Sequence, residues 1–168
     1  MEQIKMNIEQ LATDLGQALK NKNWVATTAE SCTGGGVAYA ITEIAGSSAW
    51  FNRSFVTYSN EAKQEMLSVS SATLAEFGAV SEAVVFEMAC GALAASRADI
   101  SVAISGIAGP DGGSEEKPVG TVWFCWADAT GWRQTTCCHF EGDRKNIRLQ
   151  AIAKALSVML ERATSMAE

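Results

Sequence analysis

Residues 24–36 read WVATTAESCTGGG. The first six are apolar, small or β-branched, which predicts a short buried strand over 24–29. A serine, a cysteine and a threonine follow at once, and then three glycines. GGVAYAITEIA (35–45) next has the spacing of a helix that ends at Gly46. Strand, tight corner and helix in so short a run is the unit from which α/β folds are built. The corner also carries two side chains of nucleophile type, Ser31 and Cys32.

The segments on either side extend this reading. Ile4, Ile8, Leu11, Leu15 and Leu19 recur at helical spacing and predict an amphipathic helix over 4–21. RSFVTYS (53–59) is a second strand candidate, and a helix is expected to start at Asn60 with Glu61 in its first turn. Ser81 and Glu82 open a clearer helix, with Val84, Val85, Met88, Ala92 and Leu93 on one face. DISVAIS (99–105) is apolar or small on both faces, so it belongs at the centre of a sheet. VGTVWFCWA (119–127) and WRQTTCCHF (132–140) flank Asp128–Gly131 as an antiparallel hairpin. A last helix is expected over 143–163, with Leu149, Ile152, Leu156, Met159 and Leu160 inward. The order predicts one α/β domain over 1–168, a mixed β-sheet with helices packed on both faces.

Composition narrows the function. Lys and Arg number 13 against 19 Asp and Glu, a net charge of −6, which disfavours nucleic acid or an anionic membrane as main partner. A small anionic ligand needs only a few local donors and stays open. No stretch approaches the roughly 20 apolar residues of a membrane span. The N-terminal segment is amphipathic and acidic, unlike a secretion signal, so a cytoplasmic protein is expected. The five cysteines (Cys32, Cys90, Cys125, Cys137 and Cys138) show no paired spacing and read as reduced thiols.

Glycine is concentrated in two places, 34–36 and SGIAGPDGGSEEKPVG (105–120), each directly after a strand candidate. In open α/β sheets ligands bind beyond the carboxyl ends of strands, where such loops gather. Neither segment is a nucleotide fingerprint: Gly36 is followed by Val37, not Lys-Ser/Thr, and the spacing is not GxGxxG. His139 is the only histidine and lies in the hairpin beside Cys137 and Cys138. Successive strand residues point to opposite faces, so these three cannot converge on one metal.

A nucleophile at Ser31 would then need a carboxylate, lysine or tyrosine as base. Glu30 is adjacent, but neighbours on an extended chain point apart. With Asn60 as N-cap, Lys63 falls at the third helical position, where the positive end of the dipole disfavours an ammonium. That effect is worth about 0.3–1 kcal/mol. A lysine base must fall from ~10.4 to about 7–8, so burial must supply the rest. Tyr58, at the end of the preceding strand, can reach the same place and relay a proton. Cys32 is the rival nucleophile, and spacing does not separate it from Ser31.

TAESCTGG (28–35), IAGSSAWF (44–51), VTYSNEAK (56–63), GAVSE (78–82), SGIAGPDGGSEEKPVGTVW (105–123) and FEGDR (140–144) together resemble the CinA C-terminal family. The resemblance covers nearly the whole chain, in order. It implies hydrolysis of the carboxamide of nicotinamide mononucleotide to nicotinic acid mononucleotide and ammonia, in pyridine nucleotide recycling. It further implies a serine–lysine mechanism with neither metal nor cofactor, and a homodimer. Carried onto this chain, Ser31 is the nucleophile and Lys63 its base, with Tyr58 and Ser48 assisting. Main-chain amides around Thr33, Gly34 and Gly35 are expected to hold the oxyanion. Ser105, Gly106 and Gly109, with Arg144 and Arg148 four residues apart on the last helix, are expected to hold the substrate and its phosphate. The first helix and the Trp-rich hairpin (Trp123, Trp126, Trp132) are the faces expected to pair two copies. The contrasting reading, suggested by the family's name, is a non-catalytic regulatory or interaction module linked to competence or DNA damage.

Overall fold

The computed structural model describes residues 1–165. The chain opens with α1 (Glu2–Lys22) and turns at Asn23, which adopts a left-handed conformation and caps the helix. It then runs into β1 (Ala26–Glu30), the corner at 31–35, and α2 (Gly36–Thr42). A 3-10 turn (Ser47–Ala49), β2 (Phe55–Val56), α3 (Asn60–Leu67), α4 (Ser71–Phe77) and α5 (Glu82–Ala94) follow. The second half is β3 (Ile100–Gly106), β4 (Thr121–Asp128), β5 (Arg133–His139) and α6 (Arg144–Ser165).

The five strands form one mixed sheet in the order β2-β1-β3-β4-β5. β3 is the middle strand, as its two-sided apolar sequence predicts: it runs parallel to β1 and antiparallel to β4. β2 is parallel to β1. The carboxyl ends of β1, β2 and β3 therefore lie at one end of the sheet, and every loop that leaves them opens there. The hairpin of β4 and β5 forms as expected.

Each sheet face has its own core, and the two differ in side-chain size. On one face Ile100, Val102 and Ile104 of β3 join Val122, Phe124 and Trp126 of β4 beneath α1, α2 and α6. Phe124 and Trp126 stack with centroids 5.2 Å apart, and the Trp126 indole N–H donates to Ala155 O of α6 at 3.0 Å. Burying such a side chain contributes about 2–3 kcal/mol. On the other face Ala29, Ala103, Cys125 and Ala127 meet Val84, Val85, Met88, Ala89 and Ala92 of α5. Small residues there let helix and sheet approach closely, and Ser101 Oγ donates to the Ala89 carbonyl at 3.0 Å. α3 packs on α5 at Gly91, where a Cβ would collide with the Leu67 carbonyl. That contact fixes α3 relative to the end of β1.

Three expectations need correction. The strand expected over 53–59 pairs only at Phe55 and Val56, because Thr57 leaves the ladder after its N–H donates to Glu30 O at 2.9 Å. The helix expected over 35–45 stops at Thr42, ahead of the left-handed Gly46. Of the three tryptophans expected on an outer face, only Trp126 is lost to it; Trp123 and Trp132 are half-buried. Trp126 is fully buried, and the Arg162 guanidinium lies 4.7 Å from the centre of the Trp132 ring.

Candidate active site

At the carboxyl end of β1 the chain does not continue the ladder with β3. Ser31 N–H still donates to Ile104 O at 3.0 Å, and the backbone then curls so that Gly34 N–H returns to Ser31 O at 2.9 Å. Gly34 and Gly35 carry φ of 59° and 95°, a region L side chains rarely adopt. Ser31 is thereby lifted off the strand end with its side chain beside α3.

Lys63 approaches from α3. The N-cap is Ser59, whose Oγ accepts from Ala62 N at 3.0 Å, not Asn60 as the spacing suggested. Lys63 is thus one position deeper in the helix, and its side chain runs back toward the amino end as helical side chains do. It is only 1% exposed. Nζ lies 3.2 Å from Ser31 Oγ and donates to Thr57 O at 2.8 Å, with Ser59 O further off at 3.5 Å. Among the described residues no carboxylate pairs with it, the one ion pair being Arg162 with Asp128. Burial accordingly pulls the Lys63 ammonium below its ordinary value of 10.5, the nearby Cys32 thiol acting in the opposite sense.

Cys32 is a neighbour in sequence but not in chemistry. Burial pushes its thiol up to about 11, and the Glu30 carboxylate adds to that rise. A thiol held protonated is a poor nucleophile, whereas the Ser31 hydroxyl faces the amine directly. Of the two side chains, the Ser31 hydroxyl is the one within hydrogen-bond distance of the amine.

Tyr58 and Arg144 stand at the rim. Tyr58 is 62% exposed, and its hydroxyl accepts from Arg144 Nη2 at 3.0 Å while Arg144 Nη1 donates to Gly109 O at 2.8 Å. Together with Ser31, Cys32, Asp111 and residues 106–109, they line a cleft of about 240 Å³.

Other expected residues are placed differently. Ser48 is exposed in the 3-10 turn, two residues before Trp50, whose carbonyl accepts from Ala26 N at 2.8 Å. That is the amino end of β1, roughly 15 Å from the corner at strand spacing, so within one chain Ser48 does not join the constellation. Arg148 shares a helix face with Arg144 but lies under the corner, donating to Cys32 O at 3.1 Å and Thr33 O at 3.2 Å. It holds the corner and is not in the wall of the cleft. Gly36 N–H is taken by Thr33 O, as Gly34 N–H is by Ser31 O, so the Gly34 amide is not free for an oxyanion. Ser105 is buried in β3. Cys137, Cys138 and His139 alternate along β5, and among the described residues no cluster of three or more metal-ligating side chains occurs.

Two residues belong here that sequence reasoning either did not name, Asp111, or set aside, Glu30. Asp111 lies in the cleft wall; its only signal was a carboxylate inside a glycine-rich loop. Glu30 does point away from Ser31, as an extended chain requires, yet its carboxylate loops under the corner to residues 33, 37 and 38. A charged residue closing an otherwise apolar strand was the available sign.

The profile of the CinA C-terminal domain matches residues 8–163. Over 154 residues the chain is 63% identical to a Shigella flexneri protein named nicotinamide-nucleotide amidohydrolase PncC, covering 89% of this chain and 91% of that one. A Pseudomonas putida protein of the same name is 50% identical over 157 residues, with 94% and 98% covered. The crystal structure of a competence/damage inducible protein from Agrobacterium tumefaciens shares 46% identity at a TM-score of 0.90, covering 92% of this chain and 94% of its own. A competence damage-inducible protein A from Klebsiella pneumoniae gives 41% and 0.91, covering 96% and 99%. With sequence, sheet order and helix placement in agreement along nearly its whole length, the chain belongs to the CinA C-terminal domain family.

Proposed function

We propose that this chain is an amidohydrolase that converts nicotinamide mononucleotide and water to nicotinic acid mononucleotide and ammonia, with Ser31 as nucleophile and Lys63 as its base. The observation that carries the reading is a buried amine, without a carboxylate partner among the described residues, 3.2 Å from a serine hydroxyl. The names of relatives at 63% and 50% identity support the substrate.

A neutral lysine amine has two N–H groups and one lone pair. Thr57 O and Ser59 O accept the hydrogens, which turns the lone pair toward Ser31 Oγ. As Oγ attacks the carboxamide carbon its proton passes to Lys63, and a tetrahedral oxyanion forms in the cleft. Lys63 then gives the proton to the departing nitrogen, ammonia leaves, and an ester to Ser31 remains. Water, deprotonated by the same amine, splits that ester and restores the hydroxyl. Arg144, exposed at the rim, is the cation placed for the substrate phosphate. A homodimer acting in the cytoplasm completes the reading, and light scattering on the purified chain checks the assembly.

Ammonia release from nicotinamide mononucleotide by purified protein is the test. Wild type is expected to turn over, and Ser31→Ala and Lys63→Ala to lose about three orders of magnitude or more in kcat with the fold intact. A folded wild type that releases no ammonia would return the chain to the non-catalytic competence or damage module. Activity that survives Ser31→Ala but not Cys32→Ala would move the nucleophile one residue on.

A further inference from the structure

We propose that Glu30 is a positioning residue for the nucleophile: its carboxylate sets the path of residues 31–38 and so aims Ser31 Oγ between Lys63 and the substrate carbonyl. The inference rests on the reading of Ser31 as nucleophile.

Glu30 is fully buried at the last position of β1. One carboxylate oxygen accepts from Thr33 Oγ1 at 2.7 Å and Val37 N at 2.9 Å. The other accepts from Thr28 Oγ1 at 2.9 Å and Ala38 N at 3.0 Å. Each oxygen thus takes one hydroxyl and one amide, which fills the roughly four acceptor sites a carboxylate offers. The partners come from both sides of the corner: Thr28 from the strand before Ser31, the others from the turn and first residues of α2 after it. No ion pair to Glu30 occurs among the described residues. Hydroxyls and the amides at the start of α2 carry the compensation, and the positive end of that helix suits a negative charge.

The corner needs such a tie. Gly34 and Gly35 leave it little conformational preference of its own. Arg148 grips its carbonyls from outside, while Glu30 grips its donors from within. A glutamine does not substitute fully: a threonine hydroxyl can turn to accept from its NH₂, but the main-chain N–H facing that NH₂ can only donate. The same charge acts on Cys32, helping to keep the thiol protonated beside the serine.

The test is the rate at which phenylmethanesulfonyl fluoride modifies Ser31, followed by mass spectrometry, alongside kcat and KM for nicotinamide mononucleotide and thermal melting. Glu30→Gln is expected to slow labelling at least tenfold and kcat by a similar factor, with KM changed less than about threefold and the protein fully folded at the assay temperature. Thr33→Val, which removes one of the four bonds and keeps the charge, is expected to slow both a few-fold, and it decides the matter if Glu30→Gln does not fold. Labelling at the wild-type rate in the folded variants, or rates that fall only with the folded fraction, would overturn the inference and leave the Ser31 reading standing. A folded wild type that is not labelled at Ser31 would overturn both.

Discussion

The corner at 31–36 and the loop at 106–120 both spend glycine at the carboxyl end of a parallel strand, yet they are built in opposite ways. Ser31, Cys32 and Thr33 are buried, and the corner is held by Glu30 on one side and Arg148 on the other. From Pro110 to Val119 the loop is largely exposed. Its ties cluster at its two ends and at Ser114–Lys117, among them Gly120 N–H to Ile107 O, Thr121 N–H to Pro118 O, Ser114 N–H to Lys117 O, Arg144 to Gly109 O, and the Lys117 ammonium to Phe77 O. Glycine therefore means two things in one molecule. In the corner it permits a strained path that other residues then fix, which is what a nucleophile needs for alignment. In the loop it keeps the backbone thin and adaptable beside a ligand. Damage to the corner should appear in kcat, and damage to the loop side in KM.

The largest effect tests what the corner is aligned against. Lys63→Met is expected to lower kcat about a thousandfold while making the fold more stable near neutral pH. The folded chain holds Lys63 below 10.5, so between the folded value and 10.5 it binds fewer protons than the unfolded chain. Stability then rises with pH across that window, and below it the cost of burying the ammonium is fully present. The stability gained in Lys63→Met should shrink as pH climbs toward 10.5 and vanish above it, which urea unfolding at several pH values will show. In wild type kcat should rise with pH to a midpoint below 10.5. Equal pH dependence of stability in the two proteins would mean that the amine is not held neutral.

Arg148→Met and Arg144→Ala divide the comparison directly. The first removes the hydrogen bonds to Cys32 O and Thr33 O but keeps the length of the side chain. It is expected to lower kcat about 10–100-fold with KM little changed, and to cost about 1–2 kcal/mol of stability. The second takes an exposed guanidinium from the cleft rim. It should raise KM about tenfold and leave the melting temperature within about a degree, as exposed substitutions do. Steady-state kinetics on both variants checks the split. If Arg148→Met raised KM and spared kcat, Arg148 would belong with the phosphate donors after all.

How far the sequence reached follows the same division. The two-sided apolar run of DISVAIS and the spacing of α1 and α6 are patterns of burial, and the order of apolar residues encodes burial, so sheet and helix faces were legible. β2 was overextended because RSFVTYS has strand propensity throughout, while the ladder ends where Thr57 turns toward Lys63. The pairing of Ser31 with Lys63 came from the family resemblance; the residues themselves offered only a lysine breaking a local rule, and that rule was misplaced by one residue because Ser59, not Asn60, caps the helix. Helix-dipole reasoning therefore counted for less than burial, which no spacing reveals. Glu30 was weighed only as a base for Ser31 and set aside; its hold on the corner was not legible, because its partners lie up to eight residues away through a turn whose path only the folded backbone defines.

The smallest expected effect concerns Thr57, which joins the corner to the lysine. Its N–H donates to Glu30 O and its carbonyl accepts from Lys63 Nζ, and the residue is fully buried. Its hydroxyl is the single buried side-chain polar atom with no hydrogen-bond partner among the described residues. An unpaired buried hydroxyl costs about 1–3 kcal/mol, and valine keeps the shape and both main-chain bonds. Thr57→Val is therefore expected to raise stability by about 1 kcal/mol, a shift of roughly 2–4 °C in melting temperature, with kcat within about twofold of wild type. Calorimetry and steady-state kinetics on the same preparation measure both. Stabilisation with kcat intact would show that Thr57 serves Lys63 through its carbonyl alone. Stabilisation with a tenfold loss of kcat would show instead that the hydroxyl is kept unpaired for a group that arrives with the substrate, and the boundary of the braced region would then have to be redrawn to include β2.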